Sequence, residues 1–361
     1  MRIAMFATSR HPIVEPYAGG QEAHTALLAR GLRRLGHHVR LYACAGTDES
    51  LADEIVPYPL LPPLSAVAQL DHQLPEPDFL SDHAAFTSAV VDLLARPDVD
   101  VVHNQSLHFL PLAFSTVLPA PLVTTLHTPP FPWMELGVAL AGPHAAYACV
   151  SRANARDWTT LPVAPRIILN GVEDDGVGPG VGGDDLVWMG RLTPDKGADL
   201  AIKVARRVGR PLRLAGPVSD RVWFEEVITP ELHGGIEYVG HLSHVQLAAL
   251  VRTSAAALVT PRWEEPFGLV AAEAAMWGTP VVALARGGLA EVVTSGVGAL
   301  VSGGGGDDQL VMALSEGLDA VSDLRRVDVQ RAARRDLGAE RMVADYVGLY
   351  RDLVTGRGVR T

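Results

Sequence analysis

The stretch Pro261–Glu291, PRWEEPFGLVAAEAAMWGTPVVALARGGLAE, carries the reading of this chain. Glu265 stands just before a helix start marked by Pro266-Phe267-Gly268, and Glu273 lies eight residues further on, inside that helix. Eight helical residues rise roughly 12 Å, an upper bound because Glu265 belongs to the preceding loop. Two hydroxyl-seeking carboxylates at that spacing suit a long, polyhydroxylated ligand with a charged middle. The free N–H groups at the helix start suit that charge.

Working outward, apolar strand-like runs alternate with helical stretches from end to end, the pattern of parallel sheets covered on both faces. In the first half the strands read as Ile3–Phe6, Val39–Ala43, Val99–His103, Leu122–Leu126, Ala146–Val150 and Ile167–Leu169. A helix over Gln21–Leu35 follows the first strand, with Ala23, Leu27, Leu28, Leu32 and Leu35 at helical spacing and a stop at Gly36. The segment Asp174–Asp185, DDGVGPGVGGDD, breaks the pattern and reads as a surface linker between domains, with a long loop as the competing reading. The cycle restarts at Leu186–Met189 and continues through strands at Leu212–Leu214, Ile236–Val239, Ala256–Val259 and Val281–Leu284, with helices at Ala198–Val208 and Ser243–Val251. Val343, Tyr346, Val347 and Tyr350 share one helical face in the tail, so a C-terminal helix over 341–361 is expected to pack back on the first domain. Ser302–Asp308 reads as a flexible loop. The expectation is two doubly wound α/β domains of similar size, at 1–172 and 186–340 with a linker at 173–185, whose strand ends line a cleft.

Composition narrows the function. The 361 residues, 48% hydrophobic and 20% charged, describe an ordinary folded protein long enough for two domains. A formal net charge of -11 argues against nucleic-acid binding, which wants a basic face. Cys44 and Cys149 sit in apolar runs and read as buried thiols. The opening MRIAMFA has no signal-peptide layout, and no apolar run approaches the ~20 residues of a membrane span, so a cytoplasmic location is expected. No strongly basic amphipathic helix is present to dock on an anionic membrane, and peripheral contact is left open.

Several residues are placed to carry chemistry. Gly19-Gly20, before the first helix, lets backbone amides approach an anion, with a plain turn as the competing reading. Gly190-Arg191 follows the first strand of the second half, and Lys196-Gly197 opens its next helix. Two cations at a strand end suit a diphosphate leaving group better than two unrelated surface charges. His127 ends the strand Leu122–Leu126 before the turn Thr128-Pro129-Pro130, with a half-buried structural imidazole as the alternative. His103, Asn104 and Gln105 end the preceding strand and offer further polar contacts. No third ligand joins His103 and His127 at a metal-binding spacing, and no nucleophile elbow is present. Trp188, Trp223, Trp263 and Trp277 read individually as core residues.

Taken together these residues resemble the retaining glycosyltransferases of family 4, which have the GT-B fold. The matching pieces are YAGGQEAHTALLARGLRRLGHHVRLY at 17–42, TTLHTPP at 124–130, ILNGV at 168–172, MGRLTPDKGADLAI at 189–202, YVGHLS at 238–243 and EPFGLVAAE at 265–273, continuing as GTPVVALARGGLAEVV at 278–293. The resemblance implies two Rossmann-like domains, with a nucleotide-sugar donor, a UDP-hexose by expectation, on the C-terminal one. It implies that Arg191 and Lys196 bind the diphosphate with help from amides at Gly19-Gly20 and Gly190, that Glu265 meets the donor sugar, and that Glu273 holds the ribose. The amides of Phe267, Gly268 and Leu269 would lie against sugar and phosphate, His127 near the reacting centre, and Val239 and Gly240 near the base. Such transfer needs no bound metal, and the implied acceptor is a small molecule or glycan, served by a monomer or homodimer. An epimerase or sugar phosphorylase on the same frame, or a non-catalytic sugar-nucleotide-binding protein, are the alternatives. Arg286 and Trp277 depart from the family pattern and either alter the sugar pocket or repack the helix. Loops after the early strands are expected to be short, which would favour a compact acceptor.

Overall fold

A computed structural model describes residues 1–356 of the chain. It contains two compact units. The first holds Met1–Val150, Ala155–Ile168 and the chain from Val343 onward; the second holds Ser151–Asn154 and Leu169–Met342.

The first unit is built on seven parallel strands: β1 (Arg2–Phe6), β2 (His38–Ala43), β3 (Glu54–Pro57), β4 (Val101–Asn104), β5 (Leu122–Leu126), β6 (Ala146–Cys149) and β7 (Arg166–Ile167). Their order is β3-β2-β1-β4-β5-β6-β7, so chain direction across the sheet reverses between β1 and β4. The central strands are near-continuous apolar runs because both faces are covered; Ile3, Met5, Phe6, Val39, Leu41, Val101 and Val123 are all buried. The helix Gly20–Arg34 buries Ala26, Leu27, Leu28 and Leu32. Leu35, expected on that face, is instead the exposed residue ending the helix.

The last helix, Ala339–Val354, gives its residues from Val343 onward to this unit. Val343, Tyr346, Val347 and Tyr350 are buried. Tyr350 Oη lies 2.6 Å from His103 Nδ1, and Tyr346 Oη lies 2.9 Å from Thr125 Oγ1. Residues 357–361 of the expected C-terminal helix lie outside the described residues.

The second unit has six parallel strands: β8 (Leu186–Met189), β9 (Leu212–Ala215), β10 (Ile236–Gly240), β11 (Ala256–Val259), β12 (Val281–Leu284) and β13 (Gly298–Val301). Their order is β10-β9-β8-β11-β12-β13, with the reversal between β8 and β11. Trp188, Leu186, Leu214 and Leu258 pack with Leu200, Ile202 and Val204 of the helix Ala198–Val208 into one core. In the helix His244–Arg252 the Ser243 side chain and Gln246 form a reciprocal capping box. Both units are therefore doubly wound α/β sheets of Rossmann type.

Three expectations change. The segment Asp174–Asp185 is not a free linker. It is strapped onto the second unit by the Arg252–Asp175 ion pair at 2.8 Å and by Gln330 Nε2 donating to the Val177 carbonyl. A Cβ at Gly180 would stand 2.1 Å from the Arg252 carbonyl oxygen, so this glycine serves close packing. The early loops are not short: Ala7–Gly19 links β1 to the first helix, and Tyr58–Glu76 links β3 to the helix Pro77–Ala95. In the latter Leu60, Val67 and Leu70 are largely exposed. Its prolines withdraw donors that a strand or helix would use. Finally, the helix Asp307–Val321 begins inside the expected loop Ser302–Asp308.

Tyr350→Phe should lower the midpoint of chemical unfolding. It strips a buried His103 nitrogen of its hydroxyl partner, a loss on the order of 1–3 kcal/mol. An unchanged midpoint would show that this hydrogen bond does not help hold the helix in place.

Candidate functional site

In the second unit the site grows from the loops after β8 and β11, the two strands on either side of the reversal, where open α/β sheets bind ligands. After β8 the chain passes Gly190 and Arg191 and enters a single turn of 3₁₀ helix, Pro194–Lys196. Gly197 ends that turn in the left-handed region at φ 71°, and a Cβ there would stand 2.1 Å from the Thr260 carbonyl oxygen. Thr260 follows β11, donates from Oγ1 to the Gly197 carbonyl at 2.7 Å, and accepts from Trp188 Nε1 at 3.1 Å. These contacts clamp the two loops together.

The clamp brings Lys196 to Glu265. Lys196 Nζ donates to Glu265 Oε2 at 2.6 Å, and both side chains are more than four-fifths buried. Trp263 covers the pair: its Nε1 donates to the same oxygen at 3.0 Å, and the Lys196 ammonium stands 4.7 Å from its ring centroid. Glu265 Oε1 has no hydrogen-bond partner among the described residues. Arg191 is exposed and makes no ion pair among them.

Behind this loop Gly287-Gly288, after β12, lies against the backbone of Glu265–Phe267. A Cβ at Gly287 would stand 2.2 Å from the Glu265 carbonyl oxygen, and Gly288 N–H donates to that carbonyl at 2.7 Å. The helix Leu269–Met276 starts from Gly268. Among the described residues the N–H groups of Gly268, Leu269 and Val270 find no acceptor, as the first turn of a helix dictates, and neither does that of Phe267 just before it. One turn further in, Glu273 is half-buried and without a hydrogen bond among the described residues. Burial pushes its carboxyl up to about 7.

Val239 and Gly240 end β10, beside the end of β9. Gly216 N–H donates to the Gly240 carbonyl, and Gly190 N–H to the Ala215 carbonyl, both at 3.0 Å. The strand ends Gly190, Gly216 and Gly240 thus form a floor free of side chains. The two departures from the family pattern both make contacts within the second unit. Trp277 is fully buried against His244, while Arg286 bonds the Gly303 carbonyl and Glu264.

In the first unit Gly19 precedes the helix Gly20–Arg34 and carries no side-chain cap. His127, at the end of β5, is set in a hydrogen-bonded cluster. Its Nε2 donates to Gln105 Oε1 at 2.6 Å, and Gln105 Nε2 lies 3.0 Å from His103 Nε2, which in turn is 2.8 Å from Thr125 Oγ1. The His24 ring meets His127 edge-on at 4.9 Å. Burial, reinforced by His24, holds the His103 and His127 imidazoles well below their usual range, so both are neutral at pH 7. Gln21 Nε2 donates to the Gln105 carbonyl at 2.6 Å.

Sequence reasoning missed Thr260, Trp263 and Gly216. Trp263 stands two residues before Glu265, but only the folded loop shows that its indole reaches back to the carboxylate. Gly216 lacks a motif of its own; its role follows from strand order.

A model of the group 1 glycosyl transferases matches residues 179–335, and a model of glycosyltransferase family 4 matches residues 18–175. The glycogen synthase of Mycobacterium tuberculosis is 29% identical, covering 82% of this chain and 81% of the relative. The D-inositol 3-phosphate glycosyltransferase of Acidothermus cellulolyticus is 28% identical, covering 99% of this chain and 91% of the relative. Among solved structures, AviGT4, a glycosyltransferase involved in avilamycin A biosynthesis, superimposes with a TM-score of 0.70 at 26% identity, covering 98% of each chain. Fold and matches define a glycosyltransferase of the GT-B type, acting on nucleotide sugars. The chain belongs to glycosyltransferase family 4. Among the described residues no helix is long and apolar enough to cross a membrane, and no cluster of three metal-ligating side chains occurs.

Glu273→Gln should stabilise the fold at pH 8 and leave it nearly unchanged at pH 4.5. The folded-state carboxyl titrates near 7, above the unfolded value of 4.5. The native chain therefore keeps a proton in that window which the unfolded chain gives up, so stability falls progressively as pH rises from about 4.5 to 7 and the cost of the carboxylate is complete above 7. After solvent screening the gain is up to about 2 kcal/mol. Urea midpoints at the two pH values measure it; equal effects at both would refute the burial argument.

Gln105→Glu should raise the imidazole pKa of His127, since a carboxylate replaces the amide it donates to. His24, His103, Tyr346 and Tyr350 are the other titratable groups of the cluster, and all four stay in place. NMR titration of labelled histidines reads the shift; no upward movement would mean that Gln105 does not face His127.

Proposed function

We propose that the chain is a retaining hexosyltransferase that moves a sugar from a UDP-linked donor to a hydroxyl of a small-molecule or glycan acceptor. The observation that carries this reading is the Lys196–Glu265 ion pair at the strand reversal, with Arg191 and Glu273 lacking side-chain partners among the described residues. Arg191 and Lys196 take the diphosphate, and the N–H groups of Phe267–Leu269 add fixed dipoles. Glu265 turns its open oxygen to the donor sugar, Glu273 accepts hydrogen bonds from the ribose hydroxyls, and the base lies at Val239–Gly240. A base met mainly by backbone leaves little trace in side chains, so the preference for UDP over GDP or ADP rests on the family pattern.

Front-face substitution fits these parts. The departing phosphate oxygen takes the acceptor's proton while the two cations stabilise the charge that develops on it, so no protein nucleophile is required. Neutral His127 is assigned to the donor sugar near the anomeric carbon. Its Nε2–H is committed to Gln105, which leaves Nδ1 as an acceptor. The neutral imidazole adds no positive charge beside an oxocarbenium-like centre.

The Lys196–Glu265 pair sharpens the test. Lys196→Ala should lower kcat/KM by about 10²–10³-fold through lost charge stabilisation. Glu273→Gln should weaken free UDP about tenfold. Glu265→Gln should leave UDP binding unchanged or tighter, because it frees Lys196 from a competing carboxylate, yet lower turnover of the intact donor. Calorimetry with UDP and kinetics across a donor panel, with product anomer analysis, separate these effects. Loss of UDP binding in Glu265→Gln with none in Glu273→Gln would reverse the donor along the helix, and an inverted product would remove the retaining mechanism.

The relatives' names point to two different acceptors, D-inositol 3-phosphate in one and glycogen in the other. The choice between such chemistries falls to the first unit.

A further inference from the structure

The chain following β1, β4 and β5, together with the helix Pro77–Ala95, carries a second cluster, none of whose members takes part in the donor assignment. A ladder of rings climbs from the core of the first unit to its surface. Phe86, fully buried, stacks on His108 at 4.6 Å; His108 stacks on Phe109 at 5.0 Å; Phe109 stacks on Trp133 at 5.3 Å. Trp133, six residues past His127, is 48% exposed, and Phe79 flanks it at 5.9 Å. An indole braced in this way by successive rings is a rigid platform that loses little entropy on binding.

The charges beside the platform are arranged against anions. Arg10, in the loop after β1, is the nearby cation, and two carboxylates of the helix Pro77–Ala95 claim it. Its Nη1 is 2.6 Å from Asp78 and its Nη2 is 2.7 Å from Asp82. Ser9 Oγ donates to the other Asp82 oxygen at 2.5 Å. The group therefore carries one net negative charge. Burial brings the His108 imidazole down to about 4, with His83 adding to the effect, so this ring contributes no positive charge either. A phosphate here would meet the Asp78 and Asp82 carboxylates, which already claim the Arg10 guanidinium. A sugar hydroxyl would meet acceptors, and the apolar face of a pyranose or aryl ring would meet an indole.

We propose that Trp133, Phe79 and the Asp78–Arg10–Asp82 group form the acceptor subsite, and that the acceptor is an uncharged sugar or glycoside rather than a phosphorylated polyol or sugar phosphate. The proposal rests on the glycosyltransferase reading for its purpose, but its ligand chemistry can be tested without turnover.

The test uses the full chain with 15N-labelled tryptophan indoles, the Trp133 resonance being identified by its loss in Trp133→Phe. Maltotriose, methyl α-glucoside, phenyl α-glucoside and myo-inositol 1-phosphate are titrated to concentrations on the order of 10 mM, the range of weak sugar affinity. At least one neutral probe should shift the Trp133 indole saturably, and inositol 1-phosphate should not. A shift with inositol 1-phosphate at lower concentration than any neutral probe overturns the proposal, as does no response to all three neutral probes. With the donor chosen by the panel above, Trp133→Ala should raise the KM for the best neutral acceptor at least tenfold. Donor KM and the rate of UDP release without acceptor should stay unchanged, and Trp133→Phe should restore most of the acceptor affinity. An unchanged acceptor KM in Trp133→Ala overturns the subsite. Failure to find any transfer alongside a clear Trp133 response would instead count against the transferase reading alone.

Discussion

Two backbone contacts hold the second unit's site together, at Gly197 against Thr260 and at Gly287 against Glu265. At each a side chain's first carbon would overlap a carbonyl oxygen. Only glycine allows this approach. The first contact locks the loop after β8 to the strand end of β11, and the second locks the loop after β12 to the turn that carries Glu265. Lys196 and Glu265 are neighbours in these loops, so their 2.6 Å ion pair follows from the packing. A partly buried ion pair by itself is weak evidence for stability. Here it holds a cation and a carboxylate side by side, both mostly buried, under the Trp263 indole.

Electrostatic cost is distributed unevenly across the site. Glu265 has a lysine and an indole N–H to answer it, whereas Glu273 has no such partner among the described residues and is pushed up to about 7 by burial. A carboxylate kept in such surroundings without a partner lowers the stability of the fold, and binding groups commonly do so. In the first unit the opposite holds. The polar groups of His103, Gln105, His127, Thr125, Tyr346 and Tyr350 answer one another across strand ends and the last helix. A connected network of this kind fixes ring orientation and proton position, and through Tyr346 and Tyr350 it makes the C-terminal helix part of the histidine's support.

The strong periodic elements were legible before any coordinates. The strands Leu122–Leu126, Leu186–Met189, Ala256–Val259 and Val281–Leu284 fall where their apolar runs place them. The edge strands β3 and β13 were not, because EIVP and GALV are short and exposed on one side, and the helix Pro77–Ala95 has a hydrophobic pattern too diffuse to stand out. Asp174–Asp185 looked like a linker because glycine density marks flexibility and close packing equally; only its contacts with Arg252 and Gln330 separate the two.

Residue types at motif spacing were enough to name the family and to put Arg191, Lys196, Glu265 and Glu273 forward, because a glycine turn, a cation and a helix start each leave a local mark. The sequence by itself thus determined the fold class and the list of chemical groups. Tertiary structure alone decided which groups meet: that Trp263 and Lys196 share one oxygen of Glu265, that Glu273 has no such partner, that Gln105 holds His127, and that Trp133 surfaces at the end of a ladder rooted in Phe86. The physical reason is distance along the chain. Lys196 and Glu265 are 69 residues apart and His103 and Tyr350 are 247 apart, and pairs so separated come together only when strand order and backbone packing bring their loops to the same edge.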